Sequence, residues 1–127
     1  MTDVVMERVR ELRDRGVAQL DQLEVVITMA RAPSRRWTKH AIAEGALLSH
    51  GRVVAALTVL ERVGVVTPVA GADGHVLSGE LDLAGLRTLH TIHAVDRARI
   101  VNAFFSCNLA VLREFAGTLK RRGTGGP

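Results

Sequence analysis

Residues 37–79 read WTKHAIAEGALLSHGRVVAALTVLERVGVVTPVAGADGHVLSG and predict two short helices followed by a β-hairpin. Thr38 and Ser49 are each placed to cap a helix, because a side-chain hydroxyl at the N-cap accepts a hydrogen bond from a free backbone N–H. The second helix is expected over residues 50–63. Gly64 follows at the position where a residue with positive φ ends a helix without strain.

The second helix carries its apolar residues on one face, because Val53, Leu57 and Leu60 recur at i, i+4 and i+7. Residues 65–69 and 75–77 are short β-prone runs that flank Gly-Ala-Asp-Gly. Glycine and aspartate favour the tight turn of a hairpin. The segment therefore predicts helix, turn, helix and hairpin in that order.

This order resembles the core of MarR-type and related bacterial winged helix-turn-helix transcription regulators. In that family, a helix of small residues, a short turn and a Ser-capped recognition helix lead to a Leu-x-x-Leu-Glu-x-x-Gly-Val-Val exit. The matching residues here are Leu57, Leu60, Glu61, Gly64, Val65 and Val66. The resemblance implies DNA binding by a homodimer joined through its terminal helices. The same fold also serves as a protein-binding module.

The length of 127 residues predicts one domain with a substantial buried core, and the apolar content of 47% is too high for general disorder. No apolar run approaches the ~20 residues of a membrane span. The charged N-terminus does not resemble a signal peptide. The single cysteine excludes an internal disulfide. We therefore expect a cytoplasmic protein without a membrane partner.

The formal net charge is +4, and the basic residues are unevenly placed. Between positions 31 and 62, only Glu44 and Glu61 oppose a set of six cations: Arg31, Arg35, Arg36, Lys39, Arg52 and Arg62. A local basic patch of this kind indicates a polyanionic partner, here double-stranded DNA. The second cluster, at residues 120–122, is explained as cations at a helix C-terminus.

The recognition helix is expected to place its N-terminal residues against base edges in the major groove. There Arg52 can bind guanine O6 and N7, and Ser49 and His50 can bind a phosphate or a base. Arg35, Arg36, Lys39 and His40 precede or begin the first helix, where phosphate contacts are expected. The predicted DNA-binding set is Arg35, Arg36, Lys39, His40, Ser49, His50, Gly51, Arg52 and Ala55. Ala56 is also expected to be exposed.

Two features favour a protein partner instead. The hairpin contains no Arg or Lys and offers only Asp73 and His75 as polar groups for contact. The recognition helix carries apolar Val54, Ala55 and Val59 away from its core face. The alternative prediction is a winged-helix protein-interaction module that docks on another protein, such as the transcription machinery.

The predicted N-terminal helix spans residues 3–15, with Asp3 as its N-cap and Gly16 at its end. Its narrow apolar stripe of Val5, Val9 and Leu12 indicates a partner helix. A second helix is expected over residues 18–31.

The region after the hairpin is proline-free over residues 82–121, and its apolar spacing is helical. It forms either one helix or two helices with a joint near residues 94–96. Asp82 can cap the first helix and Asp96 the second. A near-heptad seam comprises Val101, Phe105, Leu109, Leu112, Ala116 and Leu119. This seam predicts packing against the N-terminal helix and a second subunit, and the alternative is a helix folded back on its own domain.

The predicted fold class is mainly α with a small two-stranded β-hairpin, as a winged helix-turn-helix with N- and C-terminal dimerisation helices. The predicted parts are an N-terminal helix at 1–16, a winged helix-turn-helix domain at 17–79, a C-terminal helical region at 80–122 and a disordered tail at 123–127.

The sequence offers few candidate residues for metal binding, redox chemistry or catalysis. His90, His93 and Asp96 can share a metal ion only on one continuous helix, and solvated side chains are the simpler interpretation. Cys107 lies among apolar residues, as a buried inert thiol does, and no activating cation is adjacent. No phosphate-binding loop, nucleophile elbow or HExxH motif occurs, so we expect neither an enzyme nor a cofactor.

Overall fold

The computed structural model describes residues 3–71 and 73–107, and these residues form a mainly helical fold with a two-stranded antiparallel sheet. The elements in chain order are α1 Val4–Asp14, α2 Leu20–Met29, α3 Lys39–Ala46, α4 His50–Arg62, β1 Val66–Pro68, β2 His75–Leu77 and α5 Leu83–Val95. A sixth helix, α6, begins at residue 97 and continues to residue 107, where the described part ends. The predicted coarse class is confirmed.

The helix boundaries follow local capping chemistry. The side chains of Asp3, Thr38, Ser49 and Asp82 accept backbone N–H hydrogen bonds at the starts of α1, α3, α4 and α5. Asp96 does the same for α6, since its Oδ1 accepts from the Arg99 N–H at 3.2 Å. As far as residue 107, where the described part ends, the region after the hairpin therefore forms two helices, as one of the two predictions had it.

The helix ends also follow the sequence. Gly16 and Gly64 have φ values of 110° and 81° after α1 and α4, as predicted. Leu47 has a φ of 56° in the turn after α3, a left-handed conformation that favours glycine. The chain bends by 109° between α3 and α4, so the two helices face different directions from one short turn.

The core is organised around α2, in which every residue from Gln22 to Met29 is buried. Helices α3, α4 and α5 all pack against α2. The α1 stripe of Val5, Val9 and Leu12 is also buried within the single chain, in the same apolar cluster as Phe104 of α6. The stripe thus has its partner within its own chain.

The sheet also pairs with the segment before α3, which the sequence did not predict. Strand β1 pairs with β2 in the register Val66↔Leu77, Thr67↔Val76 and Pro68↔His75. On the other edge of β2, Trp37 and His75 exchange two N–H···O bonds of 2.8 Å each. The segment before α3 is therefore fixed to the hairpin.

Helix α6 has two different apolar faces. Ile100, Phe104 and Cys107 are buried in the core of the chain, whereas Phe105 is 48% exposed. Val101 lies between these extremes. The members of the predicted seam from Leu109 onward lie outside the described residues.

Within the described ranges, no single helix is both long and apolar enough to cross a membrane. The bent pair α3–α4 reaches that length and composition only when its two helices are taken together.

Candidate nucleic-acid interface

The N-terminal part of α4 presents a small and open surface. Ser49, His50, Gly51, Arg52 and Ala55 are all exposed. The Ser49 Oγ accepts a hydrogen bond from the Arg52 N–H at 3.3 Å, which fixes the first turn. A Cβ added to Gly51 would meet no atom within 4 Å, so packing does not require glycine at this position.

The opposite face of α4 is broader than predicted. Ala56 was expected to be exposed, but it is only 3% exposed. Residues 53, 56, 57 and 60 follow the i, i+3, i+4, i+7 spacing of a full amphipathic helix face, and the sequence prediction used a narrower stripe. The expectation for Ala56 was therefore wrong.

Arg52 is held in a bidentate ion pair that the sequence did not reveal. Its Nε donates to Asp21 Oδ2 at 2.9 Å, and its Nη2 donates to Asp21 Oδ1 at 2.7 Å. The side chains are 61% and 27% exposed, respectively. Asp21 is the second residue of α2 and lies 31 positions from Arg52, so neither periodicity nor motif spacing connects the two residues.

Lys39 and Arg52 both stand in the first turn of a helix, at the starts of α3 and α4. The positive end of the helix dipole disfavours cations there. Helix stability therefore does not explain either placement. Arg52 has the Asp21 carboxylate as its partner, and an anion binding at the start of α3 would explain Lys39, because backbone N–H groups and the added cation attract it together.

Arg35 and Arg36 link the basic segment to the hairpin. The Arg35 guanidinium lies 4.6 Å from the centroid of the Trp37 ring. The Arg36 stem crosses Gly74, where an added Cβ would lie 2.5 Å from Arg36 Cγ. The hairpin has no cation of its own, and Arg36 brings one beside it.

The histidines divide between the surface and the interior. His40 forms an exposed contact of 3.0 Å with Glu44. His75 was expected to be available on the hairpin, but it is buried, and its Nδ1 lies 2.8 Å from Glu61 Oε1. The reason is strand alternation, since His75 and Leu77 point to the buried side of β2.

Two of the three residues considered as metal ligands, His93 and Asp96, have other partners. His93 Nε2 lies 2.9 Å from Glu24 Oε2, and Asp96 caps α6 after the helix break. Among the residues that the structure describes, no group of three His, Cys, Asp or Glu side chains is placed to hold a metal ion. Cys107 is buried in the apolar core, as expected.

The predicted site residues fall into two groups. Arg35 and Arg36 lie beside the hairpin because Trp37 pairs with β2, whereas Arg52 is tied to the start of α2. Comparisons of the chain with protein-family models, curated proteins and solved structures found no match. The functional interpretation therefore depends on this geometry.

Proposed function

We propose that the protein is a homodimeric winged helix-turn-helix regulator of transcription that inserts α4 into the major groove of DNA. The exposed N-terminal face of α4 carries this proposal. Gly51 and Ala55 leave that face without bulk, so the helix backbone can approach the base edges. Arg52 supplies the donors for a guanine, and Ser49 and His50 supply polar contacts beside it.

The cations before and at the start of α3 bind the DNA backbone in this proposal. Arg35, Arg36 and Lys39 contact phosphates and set the orientation of the protein without reading sequence. Arg36 also supports the cation-free hairpin as a wing, because its stem lies on Gly74. A cation at this place suits the negative potential of the minor groove. His40 lies at the edge of this surface, beside Glu44.

The exposed side of α6 supports the dimer. The core of the chain already buries Ile100 and Phe104, while Phe105 remains at the surface. An exposed aromatic residue on an apolar helix is suited to an interface with a second copy. The dimer would read two half-sites roughly 34–36 Å apart along the DNA. This function places the protein in the cytoplasm of a bacterium.

The test is a titration of a fluorescently labelled random-sequence duplex, followed by anisotropy at low and moderate salt. We expect binding that weakens steeply with salt, because phosphate contacts release counterions. Arg36→Gln should reduce the slope of log K against log salt by about 0.9 per subunit, or about 1.8 for the dimer. Arg10→Gln is the charge-matched control, since Arg10 is exposed on α1, and it should leave the slope unchanged. Absence of binding by the folded protein at low salt would contradict the proposal.

One observation favours a second function, a protein-interaction module. Leu47 is 90% exposed in the turn before α4, and Val54 is also exposed on α4. Ala55 is exposed and Val59 is half-buried on the same helix, and these apolar side chains offer contacts that a partner protein can cover. A dimer that ignores DNA but binds a protein of the transcription machinery, and loses that binding on Leu47→Asn, would establish this alternative.

A further inference from the structure

We propose that Asp21 is a positioning residue that fixes the Arg52 guanidinium for base recognition and so determines specificity at one base pair. The inference rests on the proposed function. It adds Asp21 of α2, a residue outside the helix-turn-helix, to the residues that determine DNA sequence specificity.

The donors of Arg52 divide into two edges. A guanidinium has five N–H groups, and the bonds to Asp21 use one from Nε and one from Nη2. Among the described residues, the edge formed by Nη1 and the second Nη2 hydrogen has no hydrogen-bond partner. That edge carries two parallel N–H groups, which match the O6 and N7 acceptors of guanine. Asp21 and guanine can therefore bind the same guanidinium at once.

Asp21 stands on a rigid support. It lies in the first turn of α2, and the residues after it on that helix are buried from Gln22 to Met29. The Arg52 side chain is 61% exposed and that of Asp21 is 27% exposed, so solvent reaches the arginine of this pair more readily than the carboxylate. The Arg52 backbone is held as well, because its N–H donates to Ser49 Oγ.

This arrangement reduces the rotamer freedom that Arg52 loses on binding. A free arginine has many side-chain conformations, and two bonds to a fixed carboxylate select a few of them. Preorganisation of this kind favours the base that fits the fixed geometry over the bases that do not. The pair is too exposed for its main effect to be on fold stability.

If Asp21 competed with DNA for Arg52 and did not position it, the expected effects of its removal would differ. If the carboxylate only competes with DNA for Arg52, its removal raises the affinity for every sequence and leaves base preferences unchanged. If it positions Arg52, its removal lowers the preference for guanine at one position. The affinity for random DNA then stays the same or rises, because one negative charge near the phosphates is gone.

The experiment is a selection from a duplex library with a randomised centre, with base preferences measured at each position. The variants are Asp21→Asn, Asp21→Glu and Arg52→Ala, and Asp14→Asn is the charge-matched control on α1. Asp21→Asn should lower the guanine preference about threefold to tenfold, a part of the discrimination that a bidentate contact provides. The affected position should be the one that Arg52→Ala loses. Asp14→Asn should match the wild type.

Asp21→Glu separates geometry from charge. It keeps the net charge but moves the carboxylate by one methylene, so it should also lower the guanine preference. In an Arg52→Ala background, Asp21→Asn should have no further effect on base preference. Thermal melting confirms that each variant is folded.

Two results would overturn the inference in different ways. Unchanged base preferences in both Asp21 variants, with specific binding by the wild type, would refute the positioning role alone. Failure of the wild type to bind the library at low salt would refute the proposed function together with the inference.

Discussion

Asp21 and Glu24 lie three residues apart on α2, and each binds an arginine, but they belong to different surroundings. Asp21 meets Arg52 of α4 at the surface, where both groups remain partly in water. The Glu24 side chain is 7% exposed and binds His93 of α5 and Arg97 of α6 at 2.9 Å and 2.8 Å. Both carboxylates join helices, but the partly exposed Asp21 holds an arginine that a ligand in solvent can reach.

Burial decides what each ion pair contributes. Water screens an exposed pair, so its contribution to stability is small whatever its geometry. Removal of a buried carboxylate leaves its partner side chains without a compensating charge. The comparison therefore predicts that Glu24 supports the fold and that the Asp21–Arg52 pair supports recognition.

The largest expected effect is on the free energy of unfolding of Glu24→Ala. This substitution removes the carboxylate from half-buried His93 and from Arg97, whose side chain is 57% exposed and can be solvated, so we expect a loss of about 1–3 kcal/mol. Urea denaturation followed by circular dichroism measures it. Glu44→Ala is the matched control, since the exposed Glu44–His40 pair should contribute less than about 1 kcal/mol. Equal losses in both variants would remove the distinction between the two carboxylates.

Arg52→Ala should affect DNA binding more than the free energy of unfolding. We expect its unfolding free energy to change by less than about 1 kcal/mol, because the pair is exposed. Its binding to a selected duplex should weaken by about 1–3 kcal/mol, with relaxed preference at one base position. Equal losses on selected and scrambled duplexes would refute a reading role for Arg52.

Lys39→Ala should weaken DNA binding without changing specificity. Lys39 is expected to contact a phosphate, so selected and scrambled duplexes should lose affinity alike and the salt slope should fall by about 0.9 per subunit, or about 1.8 for the dimer. Arg10→Ala on α1 provides the comparison with equal charge. A loss confined to the selected duplex would assign Lys39 to base recognition instead.

The smallest expected effect is the contribution of His90 to the pH dependence of the free energy of unfolding. Burial lowers the pKa of His90 below its usual value of 6.5, and nearby His93, Arg31 and Arg87 lower it further, while the nearby Ile27 backbone opposes the change. The unfolded chain therefore binds the proton more readily than the native protein. Stability should fall as the pH drops through 6.5 and should level off below the native pKa. His90→Gln should flatten this part of the profile of unfolding free energy against pH, and an unchanged profile would contradict the assignment.

Local chemistry made much of the fold predictable. The N-caps at Thr38, Ser49 and Asp82 depend on residues within three positions of each other, and the ends at Gly16 and Gly64 depend on single residues. The coarse class follows from these helices and the hairpin. Such short-range features can be predicted from a sequence because few other parts of the chain influence them.

Long-range pairing was not predictable in the same way. The contacts of Trp37 with His75, of Asp21 with Arg52 and of Glu24 with its two partners join distant positions through the packing of α2. Sequence spacing identified Arg52 as a candidate but gave no sign of its carboxylate partner. The pairing decides which donors of Arg52 remain for a ligand.

The most direct test of the account maps the binding surface by NMR, with ¹⁵N-labelled protein and an unlabelled duplex at low salt. The account predicts that the largest amide shift changes occur at residues 49–55, with a second group at residues 35–40. Amides of α1 should change little. Changes confined to α1 or α5, or no change at any DNA concentration, would contradict the assignment of the α4 face as the DNA interface.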